Sequence, residues 1–139
     1  MTKFIWLDLC PPSANSMYRH ARGMNFLSRA AKEFYSYAAE RWTQRIDWTA
    51  VDVTIYIVPQ RKSIDVDNRI KPTLDAITRA KVWQDDSIVS SVKCALIQPN
   101  RKLFPRGAVF IEISHRDNKY ISFDDVSDEM KRFLNERNN

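Results

Sequence analysis

The chain contains 139 residues, with 22 Lys and Arg against 17 Asp and Glu and a net charge of +5 at pH 7. This length suits one compact domain, because either half alone would approach the lower limit for a self-sufficient hydrophobic core. Only two glycines are present, which excludes a Walker loop and a Gly-rich dinucleotide-binding fingerprint. No apolar run approaches the ~20 residues of a membrane span. The widely separated Cys10 and Cys94 are typical of reduced thiols, so we expect a cytoplasmic protein.

The N-terminal third of the chain predicts a strand, a loop and a helix. Residues 3–9 are mostly apolar and stop before Pro11-Pro12, which is typical of a strand. Residues 10–26 contain proline, serine, asparagine and glycine, so we expect a loop there. From Leu27 to Trp42 apolar side chains recur every three or four residues, and this spacing predicts a helix with one buried face.

The rest of the chain predicts three strands and two helices. Strict alternation from Val51 to Ile57 indicates a strand with one face in the core. We expect a helix from near Asn68 to about Lys81, because Pro72 is tolerated only in a first turn. The other predicted elements are strands at 87–98 and 108–114 and a helix at 124–136. The order β-α-β-α-β-β-α predicts a single α/β domain of the mixed α+β kind, spanning residues 1–139 around a mixed sheet.

Charge is unevenly distributed along the chain. Residues 1–111 contain 17 Lys and Arg against 10 Asp and Glu, whereas residues 112–139 contain 5 against 7. The first part therefore carries +7 and the second −2, with an acidic C-terminal extension from about residue 117. Five of the ten acids in the first part fall between Asp65 and Asp86. A basic surface attracts phosphates, and an acidic cluster on such a surface is costly unless a cation binds there.

The acidic cluster has the residue types of a divalent-metal site. Asp65 and Asp67 are two residues apart, so they point the same way in extended chain. Asp85 and Asp86 come after the predicted helix, which carries the chain ~18 Å away from its start. They can therefore meet Asp65 and Asp67 only if the chain doubles back after the helix. Carboxylates with substrate phosphate oxygens suit Mg²⁺, which activates water. Lys71 would add a positive charge at the phosphate.

These residues also have ordinary structural interpretations. Asp67 or Asn68 would cap the helix by accepting a hydrogen bond from a free backbone N–H. The ion pairs expected on this interpretation are Asp65 with Arg61, and Lys71 with Asp67 or Asp75. Spacing alone does not choose between these pairs and a metal site.

Basic and aromatic side chains predict contacts with a nucleic-acid backbone. Tyr18, Arg19 and Arg22 form a small basic-aromatic loop with His20, which either follows phosphates or is simply an exposed polar loop. The other predicted DNA-binding residues are Arg61, Lys62 and Arg69 around the acidic cluster, and Arg101, Lys102 and Arg106 between the last two strands.

At these residues the chain resembles the RusA-type Holliday junction resolvases, which are common in phages and prophages. The resemblance begins at Pro11-Pro12-Ser13-Ala14-Asn15 and continues through Tyr18-Arg19-His20. It is strongest at Asp65-x-Asp67-Asn68-x-x-Lys71, Leu74-Asp75-Ala76 and Trp83-x-Asp85-Asp86, and it covers most of residues 5–113.

The resemblance implies residue roles, a cofactor and an assembly. Asp65, Asp67 and Asp86 match the metal-binding catalytic aspartates, Lys71 matches the essential lysine, and the adjacent Asp85 shares or exchanges the ligand role. The family implies a mixed α/β homodimer that resolves four-way DNA junctions with Mg²⁺, for which Mn²⁺ is the alternative ion.

We therefore expect an intracellular, structure-selective endodeoxyribonuclease that hydrolyses phosphodiester bonds in Holliday junctions and related branched DNA. The expected partners are branched DNA and a second copy of the chain, with no membrane. Two other classes stay open: a non-catalytic nucleic-acid-binding protein on the same fold, and a small nucleotide phosphohydrolase.

Overall fold

The computed structural model describes residues 1–62 and 64–138 and has a mixed α+β architecture, as predicted. No helix in these two ranges is long and apolar enough to span a membrane. The elements in chain order are β1 Thr2–Leu7, β2 Tyr18–Ala21, β3 Met24–Leu27, α1 Arg29–Arg41, β4 Val51–Val58, α2 Asp67–Arg79, β5 Val89–Leu96, β6 Ala108–His115 and α3 Asp128–Asn138. Short 3₁₀ turns lie at Ala14–Ser16, Asp86–Ile88 and Phe123–Asp125.

A four-stranded sheet in the order β1-β6-β4-β5 forms the centre of the domain. β6 is antiparallel to both β1 and β4, whereas β5 is parallel to β4. The predicted alternation in β4 is confirmed, since Val51, Val53, Ile55 and Ile57 are all buried. These side chains belong to one core cluster with the inward residues of α1 and α2. The sheet therefore buries one face under these two helices.

The first helix begins after Leu27, although the apolar spacing predicts that Leu27 lies inside it. Leu27 ends β3, and Ser28 caps α1 by accepting a hydrogen bond from the Ala31 N–H at 3.2 Å. Ser is favoured at this position because its oxygen satisfies a backbone donor at the helix start. The buried face of α1 comprises Ala31, Phe34, Tyr35 and Ala38.

The predicted loop at residues 10–26 is wrong in its second half, where the chain forms a two-stranded antiparallel hairpin, β2–β3. The element order is therefore β-β-β-α-β-α-β-β-α. At the tip, Arg22 has φ 52° and Gly23 has φ 74°, the positive values that a tight two-residue hairpin turn requires. Every residue of β2 is exposed and β3 is buried only at its end, so no apolar alternation marks these strands.

A tight turn ends α2 and reverses the chain. The Val82 N–H donates to the Ile77 carbonyl at 3.2 Å and the Lys81 N–H to the Thr78 carbonyl at 3.0 Å. Lys81 has φ 62°, and together these features form a Schellman motif. Trp83, only 1% exposed, donates from its indole Nε1 to the Thr78 hydroxyl at 2.7 Å. The segment that follows α2 is thus held against the C-terminal end of that helix.

Gly107 and Gly23 provide a matched stability test, because both have φ 74°. A Cβ at Gly107 would lie 2.5 Å from the Val58 carbonyl oxygen and 2.6 Å from the Cys10 Cβ, whereas one at Gly23 would meet nothing within 4 Å. We expect Gly23→Ala to lower the free energy of unfolding by about 1 kcal/mol. Gly107→Ala should lower it by about 3 kcal/mol, because overpacking adds to the backbone strain. Equal losses in guanidinium denaturation would contradict the predicted close packing at Gly107.

Candidate active site

The N-terminus of α2 carries the first two candidate carboxylates. Asp67 is the first residue of the helix, where a negative charge is favoured by the helix dipole. The Asn68 amide donates a hydrogen bond to Asp65 Oδ2 at 3.4 Å. The expectation that Asp67 or Asn68 caps the helix is wrong, because the residue before the helix is the apolar Val66.

Pro72 is the sixth residue of α2, one turn deeper than the first turn expected for it. Because proline has no N–H, it cannot donate to the Asn68 carbonyl four residues earlier. At the next residue the Thr73 hydroxyl donates to the Arg69 carbonyl at 2.7 Å. The helix thus continues through proline beside the candidate carboxylates.

Lys71 lies between carboxylates from two separate segments. Its Nζ is 2.8 Å from Asp75 Oδ1, one turn along α2, and 3.7 Å from Asp86 Oδ2, which comes after the helix. The chain therefore doubles back after α2 and brings Asp86 to Lys71, while the meeting of Asp86 with Asp65 and Asp67 stays a prediction. Pairing of Lys71 with Asp75, one of the ordinary structural interpretations, is also present. The ion pairs among the described residues do not include Asp65 with Arg61.

Asp85 and Asp86 differ in environment although they are adjacent. Asp86 is half-buried at Lys71, whereas Asp85 is exposed, with extended backbone, in the position before the short 3₁₀ turn. The geometry therefore favours Asp86 over Asp85 as the member of the pair that acts together with Lys71.

The carboxylates form an open arrangement. In the part of the chain that the structure describes, no three His, Cys, Asp or Glu side chains are grouped closely enough to hold a metal ion. Mg²⁺ is commonly held by only one or two carboxylates together with waters and substrate phosphates. Asp65 and Asp67 present exposed carboxylate oxygens and Asp86 lies at Lys71; these are the donor types that suit an ion which takes its other ligands from water and phosphate.

The pKa of Lys71 is raised above its ordinary value of 10.5. The main cause is the hydrogen bond to Asp75; the charges of Asp75 and Asp86 add to it, and partial burial opposes it. Because the pKa is higher in the folded state, the stabilisation from these pairs is complete below the ordinary value. It is lost only as pH rises through the raised pKa. Lys71 is thus a cation throughout the neutral range, and its ammonium donates hydrogen bonds.

The Lys71–Asp75 contact can be tested through this pKa. Asp75→Asn removes the charge and weakens the hydrogen bond that hold the pKa up, so we expect the Lys71 pKa to fall toward 10.5. NMR titration of the Lys71 side-chain Cε resonance would measure it. Asp85→Asn is the matched control, since Asp85 is not among the causes of the shift. A Lys71 pKa unchanged by Asp75→Asn would contradict the proposed contact.

A cleft of about 960 Å³ lies beside the start of α2 and collects four of the predicted DNA-binding arginines. Arg101 donates from Nε to the Gln60 carbonyl at 3.1 Å, and Arg106 pairs with Glu33 of α1. The arginines in its lining are Arg61, Arg69, Arg101 and Arg106. Lys62 and Lys102, next to two of these residues in the chain, are exposed. The described residues that line the cleft do not include Lys71 or the candidate carboxylates; Ile64 and Arg69 in the lining are their neighbours in the chain. A cationic cleft of this kind suits a DNA backbone.

Arg69 has an internal role that its sequence position does not reveal. Its guanidinium donates to the Pro11 carbonyl at 2.7 Å, and its Nε is buried without a hydrogen-bond partner among the described residues. Arg69 thereby joins α2 to the Pro11-Pro12 segment that begins the resemblance. The prediction that it contacts DNA stays a prediction.

The hairpin brings the other basic group toward the same region. Tyr18, Arg19 and Arg22 are all exposed on it. The pKa of Tyr35 is raised chiefly by burial; the charge of Asp75 adds to this effect, and the charges of Arg79 and Lys71 oppose it. The 3₁₀ turn Ala14–Ser16, which leads into the hairpin, packs against α2. The base of the hairpin is therefore held beside the helix that carries Lys71.

Two polar residues hold the site in ways that the sequence interpretation missed. Asn68 is expected only as a cap, yet it donates to Asp65. Glu33 on α1 has no predicted role, yet it pairs with Arg106 across the cleft. Asp65 and Asn68 are only three residues apart in the chain, which is a usable local signal, whereas the Glu33–Arg106 pair spans 73 residues and leaves none.

The sequence model of the family described as Endodeoxyribonuclease RusA matches residues 9–114. The chain belongs to this family. It is 34% identical over 84 residues to the crossover junction endodeoxyribonuclease of Enterobacteria phage 82 and to that of Escherichia coli strain K12, and 31% identical over 88 residues to that of Shigella sonnei strain Ss046. Each match covers 57% of this chain and 70% of the relative.

Membership of the RusA family confirms the resemblance and the predicted enzyme class, an endodeoxyribonuclease that hydrolyses DNA phosphodiester bonds. The matched range contains every candidate site residue, from Tyr18 on the hairpin to Arg106 in the cleft. α3 and the acidic extension lie outside it. Similarity to a phage relative agrees with the expected phage or prophage setting.

Proposed function

We propose that this RusA-family protein is a metal-dependent, structure-selective endodeoxyribonuclease that resolves Holliday junctions and related branched DNA. The observation that carries the proposal is the meeting of Lys71 with Asp86, 3.7 Å apart, next to a helix start that bears Asp67. These residues lie in the range shared with relatives named crossover junction endodeoxyribonucleases. A protein that only bound DNA would gain nothing from carboxylates that repel phosphates.

In this proposal Asp65, Asp67 and Asp86 hold Mg²⁺, or alternatively Mn²⁺, and Asp85 is the neighbouring substitute ligand. The ion would lower the pKa of a bound water and neutralise charge on the attacked phosphate. Lys71, protonated at neutral pH, donates to a non-bridging oxygen of that phosphate as negative charge develops. Asp75 orients the Lys71 ammonium and raises its pKa further above the neutral range.

The DNA backbone is held by the basic residues on either side of this centre. In the cleft, the pairing of Arg106 with Glu33 and of Arg101 with the Gln60 carbonyl limits the motion of both guanidinium groups before DNA arrives, which reduces the entropy lost on binding. Arg61, Lys62 and Lys102 are exposed and available for further phosphate contacts.

Replacing one carboxylate should separate binding from cleavage. We expect Asp67→Asn to abolish cutting of a labelled four-way junction in Mg²⁺ while junction binding survives or tightens, because one ligand and one negative charge are removed at nearly constant volume. Asp124→Asn, in the acidic extension, is the charge-matched control and should cut like wild type. Assays would include linear duplex and nucleoside triphosphates as alternative substrates.

The outcomes of this assay distinguish the open classes. Junction cutting by Asp67→Asn at the wild-type rate would contradict the metal-ligand role. Junction binding by wild type without cutting in Mg²⁺ or Mn²⁺ would favour the non-catalytic class. Hydrolysis of nucleoside triphosphates alone would favour a phosphohydrolase.

The salt dependence of DNA binding should show how many phosphates the side chains of the cleft neutralise. Each neutralised phosphate adds about −0.9 to the slope of log K against log salt. Combined Arg101→Gln, Lys102→Gln and Arg106→Gln changes should make that slope shallower by about 0.9 for each phosphate that these side chains neutralise in wild type. The control replaces Lys131, Arg132 and Arg137 of α3 with Gln, which removes the same charge. Equal slopes for the two triple variants, measured by fluorescence anisotropy, would mean that the cleft does not hold DNA.

We further propose that the active form is a homodimer. A four-way junction is approximately two-fold symmetric and its resolution needs two cuts, whereas one chain carries a single set of candidate residues. Light scattering without DNA should give about twice 16.3 kDa. Mixed dimers of wild type and Asp67→Asn should nick one strand of a junction without completing resolution. A monomer that makes paired cuts would contradict the dimer.

A further inference from the structure

The β2–β3 hairpin exposes apolar side chains to which the proposed function so far gives no role. Met24 is 59% exposed and Phe26 is 45% exposed. In the register of the hairpin Phe26 is opposite Arg19, and Met24 is opposite Ala21. Residues directly opposite each other in an antiparallel pair share a face. One face of the hairpin therefore combines an aromatic ring, a thioether and a guanidinium group.

The segment of chain that forms and flanks the hairpin carries only positive charge. The sequence from Leu9 to Lys32 contains no Asp or Glu, while it contains Arg19 and Arg22 on the hairpin and Arg29 at the start of α1. Exposed apolar groups surrounded by cations match a partner with apolar faces and a negatively charged backbone. Nucleic-acid bases with their phosphates have this combination.

The hairpin is fixed at its base. The Ser28 N–H donates to the Met17 carbonyl at 2.8 Å, and Met17 is buried in the core. The same Ser28 caps α1. The 3₁₀ turn Ala14–Ser16, which leads into the hairpin, packs against α2, the helix that carries Lys71. A DNA strand at Lys71 is thus within reach of the hairpin.

We infer that the face formed by Arg19, Met24 and Phe26 is a wedge that inserts between bases at the branch point of the DNA. This inference rests on the proposed function and extends it to the recognition of branched substrates. Apolar side chains that enter base steps must offset the cost of unstacking, which is substantial at every step of a continuous duplex. The cost is lower where strands exchange and stacking is already interrupted, so the wedge favours a junction over linear DNA. Arg19 and Arg22 then hold the flanking phosphates.

The test is a four-way junction that carries 2-aminopurine at the crossover, mixed with protein in EDTA. Unstacking raises 2-aminopurine fluorescence, so wild type should give a several-fold increase. The double variant Met24→Ala and Phe26→Ala should lose the increase and bind the junction about tenfold more weakly, with unchanged affinity for linear duplex. The matched control changes Met130→Ala and Phe133→Ala on α3, whose side chains are similarly exposed at 49% and 53%.

Further variants and the oligomeric state separate a wedge from other roles. Phe26→Leu keeps an apolar side chain and should retain most of the fluorescence increase. Melting temperatures should match wild type, because the altered side chains are exposed. A fluorescence increase retained by the double variant would overturn the wedge. So would a wild-type dimer that becomes monomeric in the double variant, because this face would then be a contact between copies of the chain.

The experiment also separates this inference from the proposed nuclease function. Binding and unstacking in EDTA need no hydrolysis, so an increase without any cleavage in Mg²⁺ would support the wedge and overturn the nuclease. Cleavage by wild type with no fluorescence increase would overturn the wedge alone.

Discussion

The candidate site depends on the turn that follows α2. A helix of this length carries the chain away from its start, so Asp86 reaches Lys71 only because the chain reverses immediately. The reversal is held by two backbone hydrogen bonds of the Schellman motif and by Lys81 in the left-handed region. Burial of Trp83, whose indole donates to Thr78 of the same helix, prevents the returning segment from leaving the helix surface. The position of the Lys71–Asp86 contact is thus set by burial of Trp83, three residues before Asp86.

This arrangement also explains how an acidic cluster is tolerated on a basic protein. Asp86 and Asp75 share one ammonium, and Asp65 accepts from Asn68, so three of the carboxylates have a partner in the free protein. The arginines are separated from them in the cleft, where Arg106 pairs with Glu33 and Arg69 with the Pro11 carbonyl. Among the described residues no arginine pairs with these carboxylates, so the proposed function leaves them available to a cation.

Much of the fold could be predicted from local pattern. The alternation in β4 and the apolar spacing in α1 reflect burial on one face, and burial leaves a periodic signal. The hairpin β2–β3 leaves none, because its side chains are exposed on both faces. The Lys71–Asp75 pair follows from four-residue spacing on one helix. The Lys71–Asp86 contact cannot be predicted from spacing, because it depends on the chain reversal after α2. Pro72 is a misleading marker of the helix start, because the absence of one hydrogen bond is outweighed by burial of Pro72, Thr73 and Ala76.

Chemistry and substrate choice must come from different parts of this molecule. In the proposed mechanism a metal, Lys71 and the arginines contact phosphates, which every DNA duplex offers, so this centre cannot by itself distinguish a junction from linear DNA. Discrimination requires a contact whose energy changes when base stacking is interrupted, or an assembly whose symmetry matches that of the branch. The hairpin exposes Phe26 and Met24 and follows the Ala14–Ser16 turn that packs against α2, so it is placed to provide a contact of the first kind. Its base and α1 share Ser28, and α1 packs against α2, so the apolar face and the reacting phosphate are held in a fixed relation by the core itself.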